Sequence, residues 1–294
     1  MRIAFLGFGL ISGSVARALR ASPDATGWEL AAWSPSGSGP ATAVADGVID
    51  RAAADVPGAI EGADLVVLGG PATACLDLLG GLAGPWSGAM AADAVVTDVA
   101  STKGALLARA DALGTRYVGG HPMAGLDTAG YAASTATLFV DRPWVIVPGA
   151  RAGEGDTDAV ASLARACRAR PVVMDAAEHD AAVAAISHLP LVLAAALVEA
   201  VSGPAGAPRP DWPQAAGLAA GGWRDMTRLA RGDAAMGAGI LATNGPAVAA
   251  RLRDLRAAID DWLAALERPG GPDGAALVDR LEAARARLEE APGG

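Results

Sequence analysis

Residues 2–22 read RIAFLGFGLISGSVARALRAS and predict a strand, a glycine-rich turn and a helix in immediate succession. The apolar run before Gly7 is typical of a buried strand, and the residues after the glycines have helical spacing. Gly7 permits a tight turn, and Gly9 lets the backbone approach a pyrophosphate at the helix N-terminus, where free N–H groups favour anions. Ser12 occupies the usual place of a further glycine and is followed by Gly13, which keeps a small residue for close helix–strand packing. The stretch therefore predicts a dinucleotide-binding unit.

Further β-rich runs alternate with helix-length segments as far as about residue 176. These runs are Glu29–Trp33, Asp64–Leu68, Ala94–Val99, Arg116–Gly119, Pro143–Val147 and Pro171–Met174. Such alternation predicts a mostly parallel sheet, which the last two strands extend in mixed direction. From about Glu178 the chain is rich in Ala and Leu with helical spacing. We expect an α/β protein with a Rossmann-type doubly wound sheet over residues 1–176, followed by an all-α domain over residues 177–294.

The end of the second predicted strand bears on which dinucleotide binds. An acidic residue here usually binds the ribose 2′-hydroxyl of NAD, but this sequence has Ser34 and Ser36. A 2′-phosphate would not be repelled there, although no Lys or Arg lies between Arg20 and Arg51 to pair with it. We expect NADP or NAD, with a preference for NADP. The expected cofactor-binding residues are Gly7, Gly9, Leu10, Ile11, Ser12, Ser34, Ser36, Gly70, Pro71 and Ser101.

A second glycine-rich stretch, Thr97–Gly125, predicts a reaction site. Ser101 and Lys103 follow the end of one predicted strand, and His121 follows the end of the next. Ligands of parallel α/β sheets bind outside the carboxyl ends of the strands, where these side chains would meet. A structural alternative remains open here, because Ser101 and Lys103 could cap a helix and a His-Pro pair could belong to a plain loop.

The helical part contains one predicted irregularity next to a histidine. His179–Ser202 predicts a long apolar helix that contains Pro190, which lacks the N–H for a helical hydrogen bond, so a kink is expected. His188 lies just before that kink and, taken alone, is more typical of a buried core histidine than of a functional one. Ala234–Leu266 is predicted to be helical with an interruption around Asn244.

Composition limits the classes of function. The 294 residues are 52% hydrophobic and 19% charged, as in a compact protein with cores for about two domains. The net charge of −9 argues against nucleic acid as a partner. Cys75 and Cys167 form no metal or redox spacing, so we expect no metal and a reducing, cytoplasmic location without a secretion leader. We expect the apolar runs to fall short of a membrane span and the helical domain to bury apolar surface in a homodimer.

Taken together, the motifs resemble those of the prephenate/arogenate dehydrogenase family of tyrosine biosynthesis. GFGLISGS at 7–14, VTDVASTKG at 96–104, GGHPMAG at 119–125, SHLP at 187–190 and WRDMTRLA at 223–230 occur in the family's order and approximate spacing. The resemblance implies a Rossmann-type domain, a helical dimerisation domain and oxidative decarboxylation of a cyclohexadienol. In that reaction a hydride passes to the nicotinamide, CO2 is lost and the ring becomes aromatic.

The resemblance also implies roles for individual residues. His121 would accept the proton of the ring hydroxyl, for which its ordinary pKa of about 6.5 is suited, and Ser101 would bind the same hydroxyl. His188 would lie near the substrate side chain, Arg228 would bind a substrate carboxylate, and Asp127 would gate or tune that carboxylate site. The expected catalytic residues are thus His121, Ser101 and His188, and the expected substrate-binding residues are Arg228, Asp127 and Arg224.

Some positions depart from the family pattern, and other functions remain open. Leu191 stands where many relatives have a second histidine, and Gly237 stands near the substrate entrance where a Trp is common. Asp233 is a candidate partner for the ammonium group of arogenate. A β-hydroxyacid-type dehydrogenase is disfavoured because no lysine follows Lys103 in the sequence. The remaining alternative is a catalytically silent nucleotide-binding sensor of the same fold.

Overall fold

The structure is a computed structural model that describes residues 1–290, and its centre is an eight-stranded sheet. The strands are β1 (Arg2–Leu6), β2 (Glu29–Trp33), β3 (Arg51–Ala52), β4 (Leu65–Leu68), β5 (Val95–Asp98), β6 (Tyr117–Pro122), β7 (Pro143–Pro148) and β8 (Arg170–Val173). Their order is β3-β2-β1-β4-β5-β6-β7-β8. The first six strands are parallel, β7 is antiparallel to β6, and β8 is parallel to β7. The predicted doubly wound sheet with mixed direction at its end is confirmed.

Helices cover both faces of the sheet and then make up the rest of the chain. They are α1 (Leu10–Ala21), α2 (Ser38–Ala45), α3 (Val56–Ile60), α4 (Ala72–Ala83), α5 (Gly104–Leu113), α6 (Glu154–Ala166), α7 (Ala176–Val183), α8 (Leu189–Ser202), α9 (Trp212–Gly217), α10 (Gly221–Thr227), α11 (Ala234–Leu266) and α12 (Gly274–Glu290). Side chains alternate along each strand, so Phe5 and Val67 join one apolar cluster while Leu6 and Val66 join the other. A strand buried on both faces reads as a continuous apolar run, as β1 and β4 do.

Strand β6 is longer than the sequence predicts. His121 was expected just beyond its strand, and this is wrong, because His121 lies within β6 and pairs with Val145 of β7. The antiparallel partner comes from a later part of the chain and continues the hydrogen-bonded ladder through the two glycines before His121. The short edge strand β3 was also missed, since it is only two residues long.

Helix α7, a π-helical turn over Ala184–His188, and α8 together form one continuous apolar segment. The interruption expected at Pro190 takes the form of this π turn, and Pro190 itself lies in the first turn of α8, where its missing N–H is not needed. Ala176–Ser202 has 27 residues and a most apolar window of mean hydropathy 2.2, of which 22% is buried. The expectation that the apolar runs fall short of a membrane span is therefore wrong for this segment. A helix that packs against a second subunit satisfies the same criterion of length and composition.

The chain divides into two compact units, residues 1–248 and the residues from Ala249 onward. Within the second unit, the guanidinium carbon of Arg280 lies 3.9 Å from the ring centroid of Trp262. The boundary at residues 176/177 was placed where strands give way to helices, and it stays a prediction.

The substitution Gly69→Ala tests the close packing beneath the first βα turn. A Cβ at Gly69 would lie 1.9 Å from Ser12 Oγ and 2.5 Å from the carbonyl oxygen of Gly7. We expect the free energy of unfolding to fall by about 1–3 kcal/mol, the usual cost of overpacking, in urea denaturation. Gly9→Ala is the control, because Gly9 has a φ of −108° and its added Cβ would meet nothing within 4 Å. Equal stability of the two variants would contradict this account.

Candidate active site

A cleft of about 520 Å³ opens at the carboxyl ends of β1, β2 and β4. Gly7 forms its floor with a φ of +94°, and a Cβ there would lie 2.8 Å from the backbone of Gly69, so only glycine fits. Gly9 precedes α1, whose N-terminus has no side-chain cap, so the first N–H groups of α1, beginning at Leu10 and Ile11, are suited to an anion. The cleft is also lined by Ser34, Ser36, Gly70, Pro71 and Tyr131.

Buried hydroxyls support the fit of a dinucleotide to this cleft. Ser34 Oγ is buried and has no hydrogen-bond partner within the described chain, although it lies at the end of β2 where a ribose would bind. Ser12 Oγ is likewise unpaired and packs in the space left by Gly69. The glycine turn, the uncapped helix and the unpaired Ser34 hydroxyl thus match the phosphate and ribose groups of a dinucleotide.

Asp98, at the end of β5, connects the two strand ends that carry the expected catalytic residues. Its buried carboxylate accepts hydrogen bonds from the Lys103 ammonium and the Tyr117 hydroxyl, and both of those side chains are fully buried. It also accepts the backbone N–H groups of Ala100, at 2.7 Å, and Gly120, at 3.3 Å. The residue that follows each of these N–H groups is an expected catalytic residue, so one carboxylate fixes the backbone beside both.

Asp180, on α7, attaches the helical segment to the same edge of the sheet. Its two carboxylate oxygens accept the N–H groups of Lys103 and Gly104 at the start of α5, each at 2.8 Å. A third donor, His179 Nδ1, lies 2.8 Å from Oδ1. Burial raises the pKa of the Asp180 carboxyl, but the hydrogen bonds from His179 and the two N–H groups outweigh it and bring the pKa below its ordinary value. Asp180 is therefore ionised at neutral pH.

The hydrogen bonds around Asp180 determine which nitrogen of His121 is free. An ionised carboxylate only accepts, so His179 Nδ1 carries a proton, and in that tautomer Nε2 is the unprotonated nitrogen. His121 Nδ1 lies 2.8 Å from His179 Nε2 and must donate to it. The lone pair of His121 therefore resides on Nε2, the nitrogen left to accept a proton.

The electrostatic surroundings keep His121 neutral. Burial of the ring has the largest effect and holds the pKa of His121 well below its ordinary value. The positive charge of Lys103 lowers that pKa further, as would a positive charge on His179 or His188. An unprotonated imidazole is thus available at neutral pH, and the ordinary pKa assumed from the sequence does not apply.

Two residues missed by the sequence analysis link His188 to this cluster. His188, which ends the π turn, is 1% exposed, and its Nδ1 lies 3.1 Å from Nδ2 of Asn244. The same Asn244 nitrogen donates to the main-chain oxygen of Asp180 at 2.9 Å. The signals in the sequence were the His179-Asp180 pair at the start of an apolar helix and a polar residue at the interruption of α11, and neither was interpreted as functional.

The other expected residues lie in more open surroundings. Ser101 is half-buried in the turn between β5 and α5, and its hydroxyl makes no hydrogen bond to the described part of the chain. Arg228 Nη1 lies 2.8 Å from Asp127 Oδ1, and both side chains are more than half exposed, at 57% and 73%. Arg224 is exposed on α10. Asp233 accepts the N–H of Met236 at 2.8 Å and so serves as a cap at the start of α11.

The fold and the site define a class of protein. A nucleotide cleft in a doubly wound sheet, with a hydrogen-bonded His–His–Asp chain at the same edge, is the arrangement of a nucleotide-dependent dehydrogenase. No group of His, Cys, Asp or Glu side chains within residues 1–290 is arranged to hold a metal ion.

Comparison with known proteins identifies the family. The sequence matches the prephenate dehydrogenase nucleotide-binding domain over residues 15–173 and the prephenate dehydrogenase dimerization domain over residues 175–280. The chain belongs to the prephenate/arogenate dehydrogenase family. It is 31% identical to the prephenate dehydrogenase of Bacillus subtilis over 269 residues, which cover 90% of this chain and 68% of that protein.

Two solved structures are similar along nearly the whole chain. Synechocystis arogenate dehydrogenase is 29% identical with a TM-score of 0.77, covering 98% of this chain and 100% of that one. The A. aeolicus prephenate dehydrogenase, solved with hydroxyphenyl propionate and NAD+, has a TM-score of 0.85. It is 24% identical and covers 99% of this chain and 98% of that one, so this likeness shows the shared fold.

Proposed function

We propose that the chain catalyses the NAD(P)-dependent oxidative decarboxylation of prephenate, to 4-hydroxyphenylpyruvate, or of arogenate, to tyrosine. The proposal is carried by the hydrogen-bonded chain from His121 through His179 to Asp180, at the edge of the sheet where the nucleotide cleft opens. The glycine turn and the serines of that cleft would hold the dinucleotide. When bound, the nicotinamide supplies the acceptor for the hydride that leaves the carbinol carbon.

The proton is handled by the protein. His121 Nε2 takes the proton of the ring hydroxyl as the hydride leaves. Loss of CO2 then releases the electron pair of the broken C–C bond into the ring, which becomes aromatic, and the phenolate oxygen takes the proton back from His121. The imidazolium that forms donates from Nδ1 to His179, whose other nitrogen donates to the ionised Asp180. This chain orients the base and stabilises its positive charge, as the third member of a Ser-His-Asp triad does. Ser101 binds the same substrate hydroxyl with its available side chain.

The cofactor preference depends on the end of β2. The cleft lining contains Ser34, Ser36 and Ser38 but, among its described residues, no Lys or Arg. A 2′-phosphate would therefore be bound by hydroxyl groups alone, whereas a ribose 2′-hydroxyl needs no cation. NAD+ is present in the A. aeolicus relative. The preference for NADP, which rested on the missing carboxylate, stays a prediction.

Arg228 is the proposed ligand of the substrate carboxylate, with Arg224 as a second cation on α10. In the structure Asp127 neutralises Arg228, and a substrate carboxylate would replace it as the partner. Asp127 thereby gates the site, because Arg228 pairs with Asp127 before the substrate binds and with the substrate carboxylate afterwards.

Association into a homodimer is part of the same proposal. The region matched by the dimerization domain includes Ala176–Ser202, whose most apolar window is only 22% buried in the single chain. Covering such a surface with a second copy removes it from water. A cytoplasmic location is also proposed, since Cys75 and Cys167 are buried free thiols.

A four-way steady-state assay tests the activity, with prephenate or arogenate and with NAD or NADP, following the reduced nicotinamide. Turnover in at least one combination is expected, and the pattern determines both preferences. His121→Ala should lose about 10²–10⁴-fold in kcat with little change in KM, the usual contribution of a general base. If no combination gives turnover while dinucleotide binding is intact, the alternative of a catalytically silent nucleotide-binding sensor is favoured.

The pH profile of kcat/KM tests the lowered pKa of His121. The base must be unprotonated, so a lower pKa moves the acid limb to lower pH. We expect activity to persist below pH of about 6.5, the ordinary pKa of histidine, and to fall at more acidic pH. His121→Ala is the control, and its residual rate should lack this limb. A limb at or above the ordinary value would contradict the electrostatic account.

Arg228→Ala tests the carboxylate site. The loss of a hydrogen bond to a charged group should raise KM by about tenfold to a hundredfold and change kcat less. Asp127→Asn should keep or lower KM, because it removes the competing carboxylate while preserving shape. Arg231→Ala serves as the matched control, since it removes a nearby exposed arginine. An unchanged KM in Arg228→Ala would rule out this role.

A further inference from the structure

Asn244 lies at a break inside α11 and is the starting point of the inference. Its backbone has φ −130° and ψ 22°, outside the helical range, and its side chain belongs to a residue only 4% exposed. The break turns the amide toward α7 and the π turn, where it contacts Asp180 and His188. The Asn244 side chain is polar and buried, yet it does not cap the helix that it interrupts. Its burial therefore requires another explanation.

The contacts of Asn244 determine which of its amide atoms faces His188. One amide atom lies 2.9 Å from the main-chain oxygen of Asp180, which only accepts, so this atom must be the nitrogen. The same nitrogen lies 3.1 Å from His188 Nδ1. Its two hydrogens are thus directed at the Asp180 oxygen and at His188 Nδ1. Because His188 Nδ1 accepts a hydrogen bond, it carries no proton.

The other nitrogen of His188 is consequently a donor without an acceptor. Burial lowers the pKa of His188 more than the Asp180 charge raises it, so the ring is neutral and its single proton resides on Nε2. Nε2 is buried and has no hydrogen-bond partner within the described residues. His188 also lies close enough to His121 that a positive charge on the His188 ring would lower the pKa of His121. An unpaired buried donor beside the proposed base indicates an acceptor atom on a ligand.

We propose that Asn244 is a positioning residue that holds His188 in the Nε2–H form, so that His188 donates a hydrogen bond to a carboxylate or carbonyl oxygen of the substrate. The identity of the ligand rests on the proposed function, whereas the protonation state rests on the hydrogen bonds alone. His121 and His188 therefore act in opposite senses. His121 presents a lone pair to a hydroxyl that loses its proton, and His188 presents an N–H to an oxygen that has only lone pairs to offer.

The assignment of the His188 proton to Nε2 also distinguishes His188 from a histidine that only packs in the core. A histidine kept only for packing would have both ring nitrogens paired within the protein or exposed to water. His188 has one nitrogen held by Asn244, and the other has no hydrogen-bond partner among residues 1–290. It also excludes a role for His188 as a proton acceptor in the reaction, since its lone pair is already engaged by Asn244.

Nitrogen-15 NMR of the histidine rings in the intact protein tests the proposal directly. The chain has three histidines, so the long-range proton–nitrogen spectrum contains few signals and is assigned with single substitutions. We expect His188 Nδ1 in the range of an unprotonated ring nitrogen and Nε2 in the range of a protonated one at neutral pH. The reverse pattern, or an imidazolium, in the wild-type protein would overturn the proposal.

Two substitutions at Asn244 extend the test. Asn244→Asp offers only acceptor oxygens to His188, so Nδ1 should become protonated. Asn244→Ala removes the constraint, so both forms should be populated; it also serves if the aspartate variant fails to fold. Thr243→Ser, on the same turn of α11, is the matched control and should leave the His188 signals unchanged. His188 signals in Asn244→Ala identical to those of the wild type would show that Asn244 does not set the protonation state.

Titration with 4-hydroxyphenylpyruvate, in the presence of the dinucleotide, tests the donated hydrogen bond. We expect the His188 Nε2–H signal to shift while the nitrogen stays protonated, and the KM of Asn244→Ala to rise by about tenfold or more, with a smaller change in kcat. A shift at His121 with none at His188 would contradict the contact with substrate. Silence in the four-way assay would count against the proposed function but would leave the measured protonation state of His188 intact.

Discussion

The carboxylate of Asp180 is the constraint on which the site depends. It accepts the first N–H groups of α5, where the positive end of the helix dipole favours a negative charge, and the hydrogen bond from His179 together with these N–H groups keeps its pKa low. The same residue holds His179 with its side chain and Asn244 with its main-chain oxygen. Asp180 therefore joins the helical segment to the sheet edge. Through His179 and Asn244 it also bears on which ring nitrogen carries the proton, which is Nδ1 in His121 and Nε2 in His188.

Asp98 provides a second anchor, and its energetics are different. A fully buried ion pair is costly unless the remaining lone pairs of the carboxylate are satisfied. Here the pair with Lys103 is supplemented by Tyr117 and by two backbone N–H groups, so the desolvation cost is offset by a complete set of donors. The cluster holds the backbone beside Ser101 and His121. Lys103 lies away from solvent because its ammonium is part of this cluster.

Local patterns predicted the sheet because each of its signals is short in sequence. The turn at Gly7 and the apolar runs of β1 and β4 are recognised within a few residues, and the family motifs supplied His121, His188 and Arg228. The roles of His179, Asp180 and Asn244 could not be predicted this way. Lys103 and Asp180 are 77 residues apart, and His188 and Asn244 are 56 apart, so these contacts exist only after α7 packs against the start of α5 and the π turn packs against α11. The position of His121 was misjudged for the same reason, since β7 extends its strand from outside the motif.

The location of His121 within a strand separates two requirements of the enzyme. Ladder hydrogen bonds hold its backbone on the β7 side, so the base is preorganised before any substrate arrives. In the proposed function the recognition of substrate charge instead falls to Arg228 and Asp127, which lie at the surface. Under that proposal, substitutions at the surface would alter how tightly a substrate is held without disturbing the reacting groups. Such a division would let substrate binding diverge at the rim of the site while the chemistry is inherited intact.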